Sequence, residues 1–263
     1  MILRIFTFPG FRVLLICSML AALAACSKKE TTSQVTPPQE VAPLQLSFTN
    51  TMGNLPLRRN DTVYTNTAGE AFTVKRFRYY ISNFQLLSGN DSVTTLPLAY
   101  FIVDDANDSS RLVTLDSVPI GTYNGIRFLI GVDSLHNMSG AQTGALAPEN
   151  GLFWSWNSGY IMAQMEGNSP VINSPTHEFL FHIGGFKGPY NALRTAALAF
   201  PQPVIVATGK QPKVNIQADA GKWFHTPFTV SFKNAAVIMA PGPDAVQISA
   251  NYQQMFSVKA ITN

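Results

Sequence analysis

The chain has 263 residues, 46% of them hydrophobic and only 13% charged, with 18 Lys+Arg against 15 Asp+Glu. It carries no Lys/Arg run, so there is no electrostatic basis for binding a phosphate backbone, and nucleic acid is excluded as a partner. The two cysteines, Cys17 and Cys26, both lie at the N-terminus, which leaves the rest of the chain without a disulfide, a thiolate nucleophile or a sulfur metal site.

Arg4 and Arg12, the apolar run Val13-Leu14-Leu15-Ile16-Cys17 and then Leu23-Ala24-Ala25-Cys26 form a secretory signal with a small-residue cleavage site. The run is too short to span a bilayer. Leu-Ala-Ala-Cys resembles the bacterial lipobox, which implies cleavage after residue 25 and acylation of Cys26. The lipid chains then hold the protein on a membrane at about 0.8 kcal/mol per buried methylene. Removing residues 1–25 takes two arginines and no acid, so the mature net charge falls from +3 to +1. Residues 26–43, with Thr-Thr-Ser-Gln-Val-Thr-Pro-Pro and no periodicity, read as a flexible tether.

Residues 44–263 read as one all-β domain, an antiparallel two-sheet β-sandwich with long loops. Leu44, Leu46 and Phe48 alternate as in a half-buried strand, and Thr73 to Leu87, Tyr123 to Val132, Glu178 to Ile183, Val204 to Thr208, Val214 to Ala218 and Phe228 to Phe232 continue the series. No long helical periodicity and no internal repeat interrupts it. The stretch from Asp133 to Pro170, rich in Gly, Asn, Ser and Trp, reads as a long ordered loop, and such loops carry function.

Three constellations stand out. His177 and His182 are five apart, one more than the helical zinc-protease pattern needs, which rejects a metalloprotease. On a strand, Phe179, Phe181 and Ile183 face the core and His182 faces away, beside Gly184-Gly185, making it the best lone ligand candidate. Phe153-Trp154-Ser155-Trp156-Asn157-Ser158-Gly159-Tyr160 is either core packing or a site. Asp104-Asp105-Ala106-Asn107-Asp108 offers oxygen ligands suited to calcium, or forms a solvated turn. No nucleophile elbow, phosphate loop or dinucleotide fingerprint is present, so hydrolase and nucleotide chemistry have no visible support.

Arg78-Tyr79-Tyr80-Ile81-Ser82-Asn83, Gly131-Val132-Asp133, Asn137 to Leu146, the block from Phe153 to Ile161, Glu166-Gly167, Phe181-His182-Ile183-Gly184-Gly185 and Asn251-Tyr252 with Met255-Phe256 together resemble the MbnP-like copper-binding family, in its Bacteroidetes lipoprotein branch. The resemblance implies an exported β-sandwich that binds copper through His side chains and, in some members, through a Trp oxidised to kynurenine by a di-haem partner enzyme of the cytochrome-peroxidase (MbnH) type. It puts His182 in the metal site, makes Trp154 or Trp156 the candidate modified aromatic, and leaves Asn157 and Tyr160 as loop support. At the second ligand position the chain carries Met138 in place of His, with His136 one residue earlier, so either could join His182. The family's histidine-containing C-terminal tail is absent. Ser27 after Cys26 points to the outer membrane. The alternative is a cell-envelope interaction or glycan-binding module using the same aromatics without a metal.

Overall fold

The computed structural model describes residues 39–89, 92–156 and 159–263. The signal segment, Cys26, most of the tether and Asn157 lie outside the described residues. Gln39–Asn263 is one compact unit.

In chain order the strands are β1 (Val41–Met52), β2 (Leu55–Pro56), β3 (Tyr64–Thr65), β4 (Ala71–Leu87), β5 (Val93–Thr95), β6 (Tyr100–Asp104), β7 (Leu112–Pro119), β8 (Gly121–Ile130), β9 (Phe153–Trp154), β10 (Gly159–Asn168), β11 (Glu178–Gly184), β12 (Arg194–Val206), β13 (Lys213–Asp219), β14 (Val237–Ile238) and β15 (Phe256–Thr262). Strand β1 begins inside the segment assigned to the tether, because Ala42 is buried and Val41 and Ala42 pair with Pro119 and Val118 of β7.

Two sheets form the sandwich. One runs β15-β13-β1, with β7 and β2 on the far edge of β1; the other runs β12-β8-β4-β10-β11-β14, with β3, β5 and β6 on β4 and β9 on β10. Pairing is antiparallel except for β1 with β13 and β11 with β14, which are parallel. The main core lies between the sheets, where Leu44, Leu46 and Phe48 of β1 meet Phe77, Tyr79 and Ile81 of β4 and Phe179, Phe181 and Ile183 of β11.

Strand β4 breaks the usual alternation: Tyr79, Tyr80 and Ile81 are all fully buried. A strand shows consecutive buried residues when both faces are covered. Tyr79 belongs to the main core, whereas Tyr80 joins a second cluster with Val132, Leu146, Leu152, Trp154, Tyr160, Ile161 and Met162. This second core sits on the outer face of the larger sheet.

Two elements differ from the reading of the sequence. Asp133 to Pro170 is not one loop: it contains helix α1 (Ser134–Met138), short 3-10 turns and the whole of β10. Phe228 to Phe232 is irregular rather than a strand. Val230 and Phe232 are buried, but the backbone N–H groups of Phe228 and Phe232 donate to Asn251 Oδ1 at 2.9 Å and to Glu70 Oε2 at 2.8 Å, so side chains replace a neighbouring strand. A second helix, α2 (Pro243–Tyr252), starts with Pro243 at its first position and buries Ala245, Ile248 and Tyr252 along one face.

The calcium reading of Asp104 to Asp108 does not survive. Asp105 takes Arg59 Nε at 3.1 Å and Asn50 Nδ2 at 3.1 Å, Asp108 pairs with Arg111, and Asp104 Oδ1 accepts from the amide of Ala106 at 2.8 Å. These oxygens are committed to arginines and amides, leaving no set free for a hard cation.

Candidate functional site

The outer face of β4, β10 and β11 carries a polar row. Because Phe77 and Tyr79, Ala163 and Met165, and Phe181 and Ile183 enter the main core, the residues between them, Arg78, Gln164 and His182, point the other way. The register places all three side by side across the sheet, Arg78 opposite Gln164 and Gln164 opposite His182. His182 Nε2 lies 2.7 Å from Glu166 Oε1, and its side chain is 12% exposed. Gln164 Nε2 donates to the same Glu166 oxygen at 2.6 Å, and Arg76 lies 3.6 Å from its other oxygen. The hydrogen bond from His182 holds the Glu166 carboxyl below its ordinary range, with the charges of Arg76 and Arg78 adding to it against the opposing effect of burial.

Arg78 reaches further, donating to the carbonyls of Asn150 at 2.8 Å and Gly151 at 3.0 Å. It thereby fastens the segment that precedes the tryptophans onto the sheet. That segment is also held from the other side: Asp133 caps α1, Asn137 Oδ1 accepts from the amide of Tyr160 at 2.9 Å, and Tyr160 Oη donates to the carbonyl of Leu146 at 2.8 Å.

Trp154 ends on the same face of β11 as His182. Its benzo ring lies on Gly184, two residues along from His182, so close that a Cβ there would overlap it, with Cη2 only 2.6 Å away. Here glycine serves close approach, not an unusual backbone angle. Trp154 is 4% exposed, its Nε1 is buried without a hydrogen-bond partner, and Trp223 in the main core is the other indole in that condition among the described residues. Trp156 is 64% exposed, with its ring centroid 5.5 Å from that of Trp154. A cleft of about 320 Å³ opens beside them, lined by Trp154, Tyr160, Phe186, Lys187, Tyr190 and Pro241.

The other expected ligands are elsewhere. His136 Nδ1 lies 3.0 Å from both oxygens of Asp133, and its ring packs on Tyr100 with centroids 5.1 Å apart. Tyr100 pairs with Ser82, whereas the row of His182 passes through Arg78 and Asp104. That is three strands over and four residues along, on the order of 15–20 Å at ordinary strand spacings. Met138 is 65% exposed at the end of α1. His136 does not reach His182 in this arrangement. Among the described residues no group of three or more His, Cys, Asp or Glu side chains is placed to hold a metal ion.

Glu166 and Gln164 are the members of the site that residue-by-residue reasoning missed, whereas Gly184 is legible in the sequence as a place of close approach beside His182. The signal for Glu166 and Gln164 was the polar alternation Gln164-x-Glu166 opposite Arg76-x-Arg78, in strands whose other residues are apolar.

Comparisons agree with this architecture. The MbnP family model matches residues 41–240. The structure is similar to that of MbnP from Methylosinus trichosporium, with a TM-score of 0.51 at 15% identity, over 79% of this chain and 87% of that one. No curated protein sequence matches the chain.

Proposed function

We propose that this chain, which belongs to the MbnP family, is an exported copper-binding protein held on the cell envelope, on the outer membrane, by lipid on Cys26. The observation that carries the reading is the placement of Trp154 on Gly184, beside His182 on one face of β11. The donor chemistry fits copper, for which imidazole is a suitable ligand. The unpartnered Nε1 of Trp154 is a donor only and cannot bind a cation as it stands. Oxidation of the indole to kynurenine by a di-haem partner enzyme, with peroxide as the oxidant that opens the ring between Cγ and Cδ1 and with Cδ1 then lost as formate by hydrolysis, would convert that nitrogen into an amine with a lone pair. Trp156, exposed and close to Trp154, is the indole such a partner would meet first. Copper would be held by His182 with the modified aromatic. His136, whose ring packs on Tyr100, is too distant from His182 to complete that set.

Copper bound by the domain from Ser27 onward, purified from cells that also supply the di-haem partner enzyme and measured by equilibrium dialysis with the metal alone, tests this. His182→Ala is expected to weaken binding by more than about 100-fold, beyond what losing an outer hydrogen-bond partner costs. His136→Ala should stay within about 2-fold of wild type, since His136 does not touch the site. Equal binding by wild type and both variants would overturn the assignment.

A second reading rests on the exposure of Trp156 beside the aromatic cleft: a glycan-stacking or protein-interaction module without a metal. It is favoured if soluble glycans shift tryptophan emission in metal-free protein while copper does not bind.

A further inference from the structure

We propose that Glu166 is the positioning residue of the His182 centre, fixing the imidazole as the Nε2–H tautomer so that Nδ1 carries the lone pair offered to the metal. The proposal rests on the copper reading for its purpose, but its geometry stands in the metal-free protein.

Three atoms meet in a triangle: Gln164 Nε2, His182 Nε2 and Glu166 Oε1, at 2.6 Å between Gln164 and Glu166 and 2.7 Å for the other two pairs. For the neutral ring two arrangements of protons are conceivable. If Gln164 donated to a bare His182 Nε2, that lone pair would face a carboxylate oxygen at 2.7 Å, two acceptors in contact. If His182 carries the proton on Nε2, two N–H donors stand 2.7 Å apart, but both hydrogens point at the charged oxygen, and charge-assisted bonds of this kind are the stronger ones and outweigh that contact. The second arrangement is the stable one. Arg78 Nε donates to Gln164 Oε1, which fixes the amide with its nitrogen toward Glu166 and excludes the flipped orientation.

A ring whose one nitrogen is tied to a carboxylate presents the other to a metal with its orientation set and its basicity raised. Glu166 is held in turn by Arg76, and Arg78 also grips the carbonyls of Asn150 and Gly151. One polar chain therefore runs from the segment before the tryptophans to the ligand itself.

The test is nitrogen-15 NMR of the imidazole in metal-free protein, paired with copper affinity, on wild type, Glu166→Ala and Glu166→Gln. Wild type is expected to show the Nε2–H tautomer. Glu166→Ala should lose that preference and bind copper about 10–100-fold more weakly, while Glu166→Gln, which keeps an acceptor oxygen, should retain the tautomer and most of the affinity. An Nδ1–H tautomer in wild type, or an unchanged tautomer and affinity in Glu166→Ala, overturns the proposal. Wild type in the Nε2–H form that binds no copper would uphold the positioning while removing the copper reading, so the two failures are separable. If Glu166→Ala does not fold, an Nδ1–H tautomer in wild type still overturns the proposal, and a Glu166→Asp variant, whose shorter carboxylate should weaken the tautomer preference and the copper affinity, takes its place in the comparison.

Discussion

Gly184→Ala is expected to destabilise the protein by about 2–3 kcal/mol and to shift tryptophan emission to the red. The added Cβ would overlap the benzo ring of Trp154 and lie 3.0 Å from the carbonyl oxygen of Tyr160. The backbone oxygen belongs to the sheet and cannot move, so the indole must leave. Overpacking of this kind typically costs 1–3 kcal/mol, and the upper end applies because Trp154 is a principal member of the second core and is 4% exposed. Displacing it also uncouples the aromatic from His182, so copper affinity should fall along with stability. Urea unfolding and emission spectra of the variant check both parts. Unchanged emission would mean that Trp154 does not rest on β11.

Glu70→Ala should cost about 3–4 kcal/mol at neutral pH. Glu70 is 4% exposed, yet its oxygens accept from Asn66 Nδ2 at 2.8 Å, Ser231 Oγ at 2.7 Å and the amide of Phe232 at 2.8 Å. Removing the carboxylate strands several buried donors, each costing about 1–3 kcal/mol when unsatisfied, less what local relaxation recovers. It also frees the irregular segment around Phe232, whose ring packs on Phe72, Phe179 and Phe181. Burial alone would raise the carboxyl above its ordinary value of 4.5, but the bonds from Ser231, Asn66 and the amides of Phe232 and Lys233 outweigh it and hold the group lower. A depressed carboxyl contributes stability that is fully present above the unfolded value and is lost as pH falls through the folded one. Wild type should therefore lose stability as pH drops below about 4.5, and Glu70→Gln should show a flatter profile there. Parallel urea titrations at neutral and acid pH decide it, and identical slopes would refute the role of Glu70.

The strands that build the sandwich were legible wherever one face met the core and the other did not. Leu44, Leu46 and Phe48, and Phe179, Phe181 and Ile183 around His182, alternate cleanly, and the structure places them as the alternation predicts. Strand β10 was hidden because Tyr160 to Met165 is buried on both faces and so shows no alternation, and because it follows a Gly-, Asn- and Trp-rich segment that reads as loop. Consecutive Tyr79, Tyr80 and Ile81 carried the corresponding signal for β4, an outer face covered by a second core. The site was half legible. His182 and the tryptophans could be named from chemistry and from their place on a strand, but the polar row of Arg78, Gln164 and His182 depends on the register of three strands distant in sequence. His136 looked like a partner by residue type. Only the strand register, which sets the Tyr100 end of β6 against His136 three strands away from His182, shows that the two histidines are apart.

The central claim is that His182 and the Trp154–Trp156 pair form one copper site. Titrating copper into the metal-free domain while recording tryptophan emission tests it most directly, because a bound copper ion quenches only indoles close to it. Quenching that saturates at a single equivalent in wild type and is absent in His182→Ala is the predicted result. Copper binding without quenching, or quenching that persists unchanged in His182→Ala, would contradict it.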